Sequence, residues 1–179
     1  CTAKITNNLS NRNLIINGSM ICAQYGTTST TSGNGTVDRW KHYYGGTDEN
    51  ITYTQHALTS SDTGPWEKGF RYSLHAKNGD QTSVGGADEV YFYYQFEGQD
   101  IANSGWNYTS TSSYITLSFW VKSSKAQNFY GNIVSRDGSQ QAYPFETGSL
   151  TANTWTKITK TIPGNSNLQF DNDNGEGLT

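Results

Sequence analysis

Glu97 and Asp100 are the nearest approach in this chain to a pair of working carboxylates. A glycosidase needs two such groups across a bound sugar, one acting as acid and the other as base or nucleophile. These two flank an expected strand end and loop, and a solvated loop accounts for them better. His42, His56 and His75 lie far apart in sequence, and none has the spacing of a metal site. His56 and His75 fall at outward positions of expected strands. Serine, histidine and aspartate all occur, but no Gly-x-Ser-x-Gly elbow is present to expose a nucleophile.

The run Asp171-Asn172-Asp173-Asn174-Gly175-Glu176 has the oxygen-rich composition of a calcium loop. Its glycine falls at the fifth place and no glutamate closes the loop at the twelfth, so an ordinary polar turn is expected. Cys1 and Cys22 are too few for a disulfide framework and lack zinc-site spacing. Cys22 sits in the apolar stretch Met20-Ile21-Cys22-Ala23 and is expected to be a small buried filler. Neither a metal nor another cofactor is expected, and no catalytic residue stands out.

Aromatic display is the chemistry that remains. Tyr91 and Tyr93 share one face of an expected strand, Trp120 lies on another strand, and Trp106 lies in a loop. Ring faces carry partial negative charge and meet the C–H patches of a sugar, while amides and guanidinium groups satisfy its hydroxyls. Arg71, Gln95 and Asn107 are of the right type for that second task. The competing account is packing between sheets or at a subunit interface. Aromatics favour interfaces as strongly as ligand sites, so this account carries the greater weight.

The bulk composition says what kind of chain must position these groups. Its 179 residues suit one domain with a real core. Apolar residues reach only 33% and charged ones only 15%, so the polarity comes from Ser, Thr, Asn, Gln and Gly. Disorder is also polar but avoids aromatics, and 12 Tyr, 7 Phe and 5 Trp argue for a folded, β-rich chain. A net charge of −3 gives no footprint for nucleic acid, and no run approaches a membrane span. The chain opens on Cys1 rather than Met, and Gly177-Leu178-Thr179 reads as the start of a strand. A fragment of something longer is the expectation.

The clearest element is Tyr114–Lys122. Ile115, Leu117, Phe119 and Val121 fall on one face, and Thr116, Ser118, Trp120 and Lys122 on the other, the period of a half-buried strand. Before it, residues 1–12 read as a connector, and 13–17 and 19–24 as two short extended runs around Gly18. Strands follow at 36–44, 51–57, 70–77 and 90–96. The last is read with Val90, Phe92, Tyr94 and Phe96 inward and Tyr91, Tyr93 and Gln95 outward. The stretch 98–107 is a connection with a helical turn near Asp100–Asn103. Further strands are expected at 129–135 and 141–146, flanking the hairpin pair Asp137-Gly138, and at 155–162. About ten strands without helical periodicity predict an all-β chain, and two facing antiparallel sheets accommodate them better than one.

Several phrases in order carry a resemblance: Asn13-Leu-Ile-Ile-Asn17-Gly18-Ser19-Met20, Asp38-Arg39-Trp40, Phe96-Glu97-Gly98-Gln99-Asp100 and Gly105-Trp106. Thr116-Leu-Ser-Phe-Trp-Val-Lys122, Tyr143-Pro144-Phe145, Trp155 and Thr161-Ile-Pro-Gly164 complete the set. Together, from about Asn13 to the end, they resemble bacteriophage tail-fibre, spike and appendage proteins. The domain of such proteins is similar to the jelly-roll, galactose-binding-like modules attached to polysaccharide-degrading enzymes. The resemblance implies a β-sandwich over 13–179 on a virion, assembled in the bacterial cytoplasm and exposed on the particle. It further implies a homo-oligomer, a trimer by preference, with other virion proteins and a host-surface polysaccharide as partners. It carries over no catalytic residue. Proteins of this look continue with further strands, so the closing segment of the sandwich is expected beyond residue 179.

Three functions follow as expectations. The first is a non-enzymatic virion protein that binds or presents to a host glycan. The second is a carbohydrate-binding module of a secreted glycoside hydrolase, and the third an architectural decoration subunit without ligand. No nucleic acid and no membrane insertion are expected for any of them.

Overall fold

The computed structural model describes residues 13–179, so the connector expected at 1–12, with Cys1, lies outside the described residues. Among the described residues the architecture is mostly β, with one short α-helix and one 3-10 turn. Where the sequence reads as one domain, its contacts gather into two compact units. One is Ile16–Tyr94, and the other is Gln95–Thr179 together with residues 13–15. The strands pair into one three-stranded and four two-stranded antiparallel sheets, all small and none closed.

The first unit contains β1 (Thr28–Ser29), β2 (Trp40–Gly45), β3 (Thr52–Ala57), the 3-10 turn Trp66–Lys68, β4 (Tyr72–Lys77) and β5 (Glu89–Tyr94). β1, β3 and β4 form the three-stranded sheet, and β2 pairs with β5 as a ribbon. Its core is built on Ile51, Tyr53, Val37, Leu58 and Tyr94, all buried. Tyr53 is the hinge of that core. Its ring stacks on His42 of β2 at 3.8 Å and meets Phe92 of β5 edge-on at 5.6 Å. Its hydroxyl donates to the Tyr43 carbonyl at 2.8 Å. Burial first, and then the neighbouring Tyr44 and Tyr91 phenols, push the Tyr53 hydroxyl pKa up to about 12.

The extended runs expected at 13–17 and 19–24 are not strands. Asn17 adopts φ +59° and its carbonyl accepts from the Met20 amide, closing a turn. Its side-chain amide donates to the carbonyls of Cys22 and Asp38 and accepts from the Cys22 N–H. Backbone groups satisfied by a side chain in this way do not join a ladder. Cys22 is correspondingly exposed, not the buried filler its apolar neighbours suggest. The strand expected from residue 36 begins only at Trp40, because Arg39 at φ +72° and the Trp40 N–H bond to the Val37 carbonyl make 37–40 a turn. Asn78-Gly79, a residue pair that commonly makes hairpin turns, follows β4 but closes no hairpin, since β4 pairs with β3.

The second unit contains β6 (Phe96–Glu97), α1 (Gly98–Ala102), β7 (Tyr114–Val121), β8 (Tyr130–Val134), β9 (Ala142–Glu146), β10 (Thr156–Pro163) and β11 (Glu176–Leu178). β7 and β10 pair over eight consecutive residues, from Tyr114 against Pro163 to Val121 against Thr156. The alternation read from the sequence of β7 is present, with Ile115, Leu117 and Phe119 less exposed than Thr116 and Ser118. β8 and β9 form the hairpin around Asp137-Gly138, with Gly138 at φ +61°. Pro144 has no N–H to give, which suits β9 to a sheet edge. The helical turn expected near 100–103 is α1. Its core partner Ile101 is buried with Leu168, Phe170 and Leu178, and Leu14, Phe96, Trp106, Tyr108 and Ile133 pack around them.

Candidate functional site

The antiparallel register of β2 and β5 sorts their side chains into two faces. Trp40, His42, Tyr94 and Phe92 lie on the face that meets Tyr53. Lys41 opposite Tyr93, Tyr43 opposite Tyr91, and Gly45 opposite Glu89 make up the other. On this outer face the phenol rings form a row, Tyr43 to Tyr91 at 5.2 Å and Tyr91 to Tyr93 at 5.7 Å. The Lys41 ammonium lies 6.0 Å from the centre of the Tyr93 ring. Tyr43 keeps 37% and Tyr91 43% of its surface exposed, so the row faces solvent. Gly45 makes room for it, because a Cβ there would meet the Tyr43 hydroxyl at 3.0 Å.

Three rings at such intervals, each about one pyranose length apart, offer a stacking surface with phenolic donors and acceptors at hand. Tyr91 and Tyr93 are the pair expected from the sequence; Tyr43 and Lys41 are additions. Their signal was the alternation within 40–45, where Trp40, His42 and Tyr44 take one face and leave Lys41 and Tyr43 on the other. The inward set expected for β5 needs one correction. Tyr94 is buried, but Val90 and Phe92 keep 38% and 39% of their surface exposed, because the start of β5 has only β2 beside it.

The remaining expected site residues have other surroundings. The Arg71 guanidinium lies 3.8 Å over the Trp66 ring and donates through Nη1 to the Trp66 and Phe70 carbonyls, fastening the 3-10 turn. In the second unit Gln95 is not on the strand that carries Tyr91 and Tyr93, since β5 ends at Tyr94. Its Nε2 donates to the Glu176 carboxylate. Trp120 stands on the outer face of β7 opposite Lys157, next to Lys122, whose ammonium lies 5.0 Å from the Trp155 ring. Trp106 donates from Nε1 to the Ser113 carbonyl and packs near Tyr108 and Phe170, so much of its ring is core wall. Asn107 Oδ1 accepts from the Thr109 hydroxyl.

The oxygen-rich loop at 171–176 is engaged with its own backbone. The Gly98 and Gln99 amides at the start of α1 donate to the carbonyls of Gly175 and Asp173. Asp137 accepts from the Asp171 amide, and Asp173 from that of Gly175. These bonds make the loop a cap for a helix too short to satisfy its own first amides. Among the described residues no group of three or more His, Cys, Asp or Glu is placed to hold a metal. Strand pairing does bring His56 and His75 together, with ring centres 5.6 Å apart on the exposed face of β3 and β4.

Two hollows lie among the described residues. An open one of about 540 Å³ is lined by Ile16, Asn17, Cys22, Tyr25, Asp38 and Arg39. Its amide and carboxylate already hold the turn around Asn17 and the Gln24 amide. A tighter one of about 110 Å³ lies against Trp106 and Tyr143 in the second unit. Among the described residues no helix is long and apolar enough to cross a membrane. No family description, curated protein or solved structure matches the chain.

Proposed function

We propose that this chain is a non-enzymatic virion protein of a bacteriophage, part of a tail fibre, spike or other appendage, that recognises a glycan on the host surface. The observation that carries the recognition half is the solvent-facing row Tyr43–Tyr91–Tyr93. The rings pack against one another along the strands yet keep a solvent-facing side, and a sugar's C–H face is the partner that side suits best. The ordered phrases from Asn13 to Gly164 support the virion half. On this reading the small sheets belong to a jelly-roll sandwich completed by further strands, and the protein works as a homo-oligomer, with a trimer favoured.

The test has two arms. A glycan array of bacterial surface polysaccharides, probed with wild type and Tyr91→Ala, is expected to give binding that the variant weakens. Imaging of phage particles with a labelled antibody against this chain is expected to decorate an appendage. Hydrolysis of any bound polysaccharide by the purified chain would overturn the non-enzymatic reading.

A further inference from the structure

The second unit holds the better-defined pocket. Its volume is about 110 Å³, and Trp106, Tyr143, Ile133 and Leu168 supply apolar wall, with Ser135 and Gln141 among the polar lining. The size restricts the occupant. A cavity of roughly 150 Å³ takes a benzene of six heavy atoms, so by proportion this one takes a group of about four. A whole pyranose is too large, while a substituent projecting from one is not.

The polar lining restricts it further. Ser135 is 1% exposed, and its hydroxyl oxygen accepts from the Gln141 amide at 2.9 Å. That hydroxyl donates to no acceptor among the described residues, and a buried donor wants one. Gln141 donates through Nε2 to the Ser139 and Gln140 carbonyls, which leaves its Oε1 to accept. Asn165, also in the lining, accepts at Oδ1 from the Asn167 amide and keeps its Nδ2 to donate. The residues that line the pocket thus keep two donors and one acceptor uncommitted, beside an aromatic-aliphatic seat.

An acetamido group needs that combination: donors for its carbonyl, an acceptor for its N–H and an apolar seat for its methyl. We infer that the pocket takes the acetamido group of an N-acetylated amino sugar, with the sugar ring held at its mouth beside Trp106 and Tyr143. This rests on the reading of the chain as a glycan binder and names the class of sugar.

Titration calorimetry with the purified chain tests it, using three trisaccharides that differ at one substituent: the N-acetylglucosamine trimer, the glucosamine trimer and the glucose trimer. The N-acetylated trimer is expected to bind at least about tenfold more tightly than the others, the worth of one or two well-made hydrogen bonds with a filled apolar seat. Ser135→Ala is expected to weaken it by about fivefold to tenfold. Ala142→Trp, placed from an exposed position in the lining of the pocket and checked for a wild-type melting curve, is expected to erase the preference. Equal binding of all three trimers, lost in Tyr91→Ala but not in Ala142→Trp, overturns the pocket assignment and leaves glycan recognition standing. Failure of these trimers and of a wider glycan panel overturns both.

Discussion

The imidazole of His42 lies flat on the ring of Tyr53, with centres 3.8 Å apart and planes 4° from parallel. The two residues are 1% and 0% exposed, and neither nitrogen of His42 has a hydrogen-bond partner among the described residues. The first unit therefore closes around an imidazole that must stay neutral, and burial lowers its pKa from the usual 6.5.

Acid should loosen that unit. Above about pH 6.5 the ring is neutral whether folded or unfolded, and contributes nothing to pH dependence. As pH falls below that value, the unfolded chain takes up a proton that the folded chain refuses, so stability drops until the depressed native pKa is reached. The slope for one such proton is at most about 1.4 kcal/mol per pH unit. Urea melts of wild type between pH 7.5 and 5 should show the decline. His42→Phe keeps the stack, removes two orphaned nitrogens, and should flatten it. A variant with the wild-type slope would transfer the effect to another group.

Much of the local structure was legible because it depends on pattern alone. The period of two in Ile115, Leu117, Phe119 and Val121 and the Asp137-Gly138 turn each name their element without help from the rest of the chain. What was illegible depends on partners far away in sequence. Asn17 looks like part of an extended run until its amide is seen holding Cys22 and Asp38. His56 and His75 are far apart in sequence, and only the β3–β4 register makes them neighbours. The tyrosine row was half visible for the same reason. Tyr91 and Tyr93 share a strand, whereas Tyr43 joins them only when β2 pairs with β5.

Ile101 anchors the second unit. It is 1% exposed on a five-residue helix that has too few internal bonds to stand alone, so packing against Leu168, Phe170 and Leu178 must hold it. Ile101→Ala should cost about 2–5 kcal/mol, by lost burial and an incompletely refilled cavity. Chemical denaturation followed by Trp fluorescence will report it. A loss under about 1 kcal/mol would mean that α1 is peripheral to this core.

Gly164, just after β10, is buried where two backbone segments converge. A Cβ there would come within 2.4 Å of the Tyr108 carbonyl oxygen and 2.5 Å of that of Ser110. The same backbone is fixed by bonds from Gly164 to the Ser113 carbonyl and from Asn165 to that of Tyr108. Neither segment can retreat without breaking one of these, so Gly164→Ala should destabilise by about 1–3 kcal/mol, the range of overpacking. Gly148→Ala is the contrast. It sits at φ +75° with open space around its Cβ position, so any cost there comes from backbone strain and not from a clash. Hydrogen exchange should show faster opening around 108–113 in the first variant only.

Tyr43 separates recognition from stability at one position. Its ring lies in the exposed row, while its backbone carbonyl receives the Tyr53 hydroxyl, a bond indifferent to the side chain. Tyr43→Ala should leave the melting temperature within about 2–4 °C of wild type, since surface changes away from the core rarely exceed about 0.5 kcal/mol. Glycan binding should weaken by about 1 kcal/mol, the usual worth of one stacked ring. Tyr43→Phe should retain most of that affinity if the face of the ring is what binds, and lose it if the hydroxyl is. Calorimetric titration of the three proteins against the best glycan from the array distinguishes these outcomes. Unchanged affinity in Tyr43→Ala with unchanged folding would place the ligand elsewhere, because a sugar lying along rings 5.2 Å and 5.7 Å apart cannot bypass the end of the row that the deletion leaves bare.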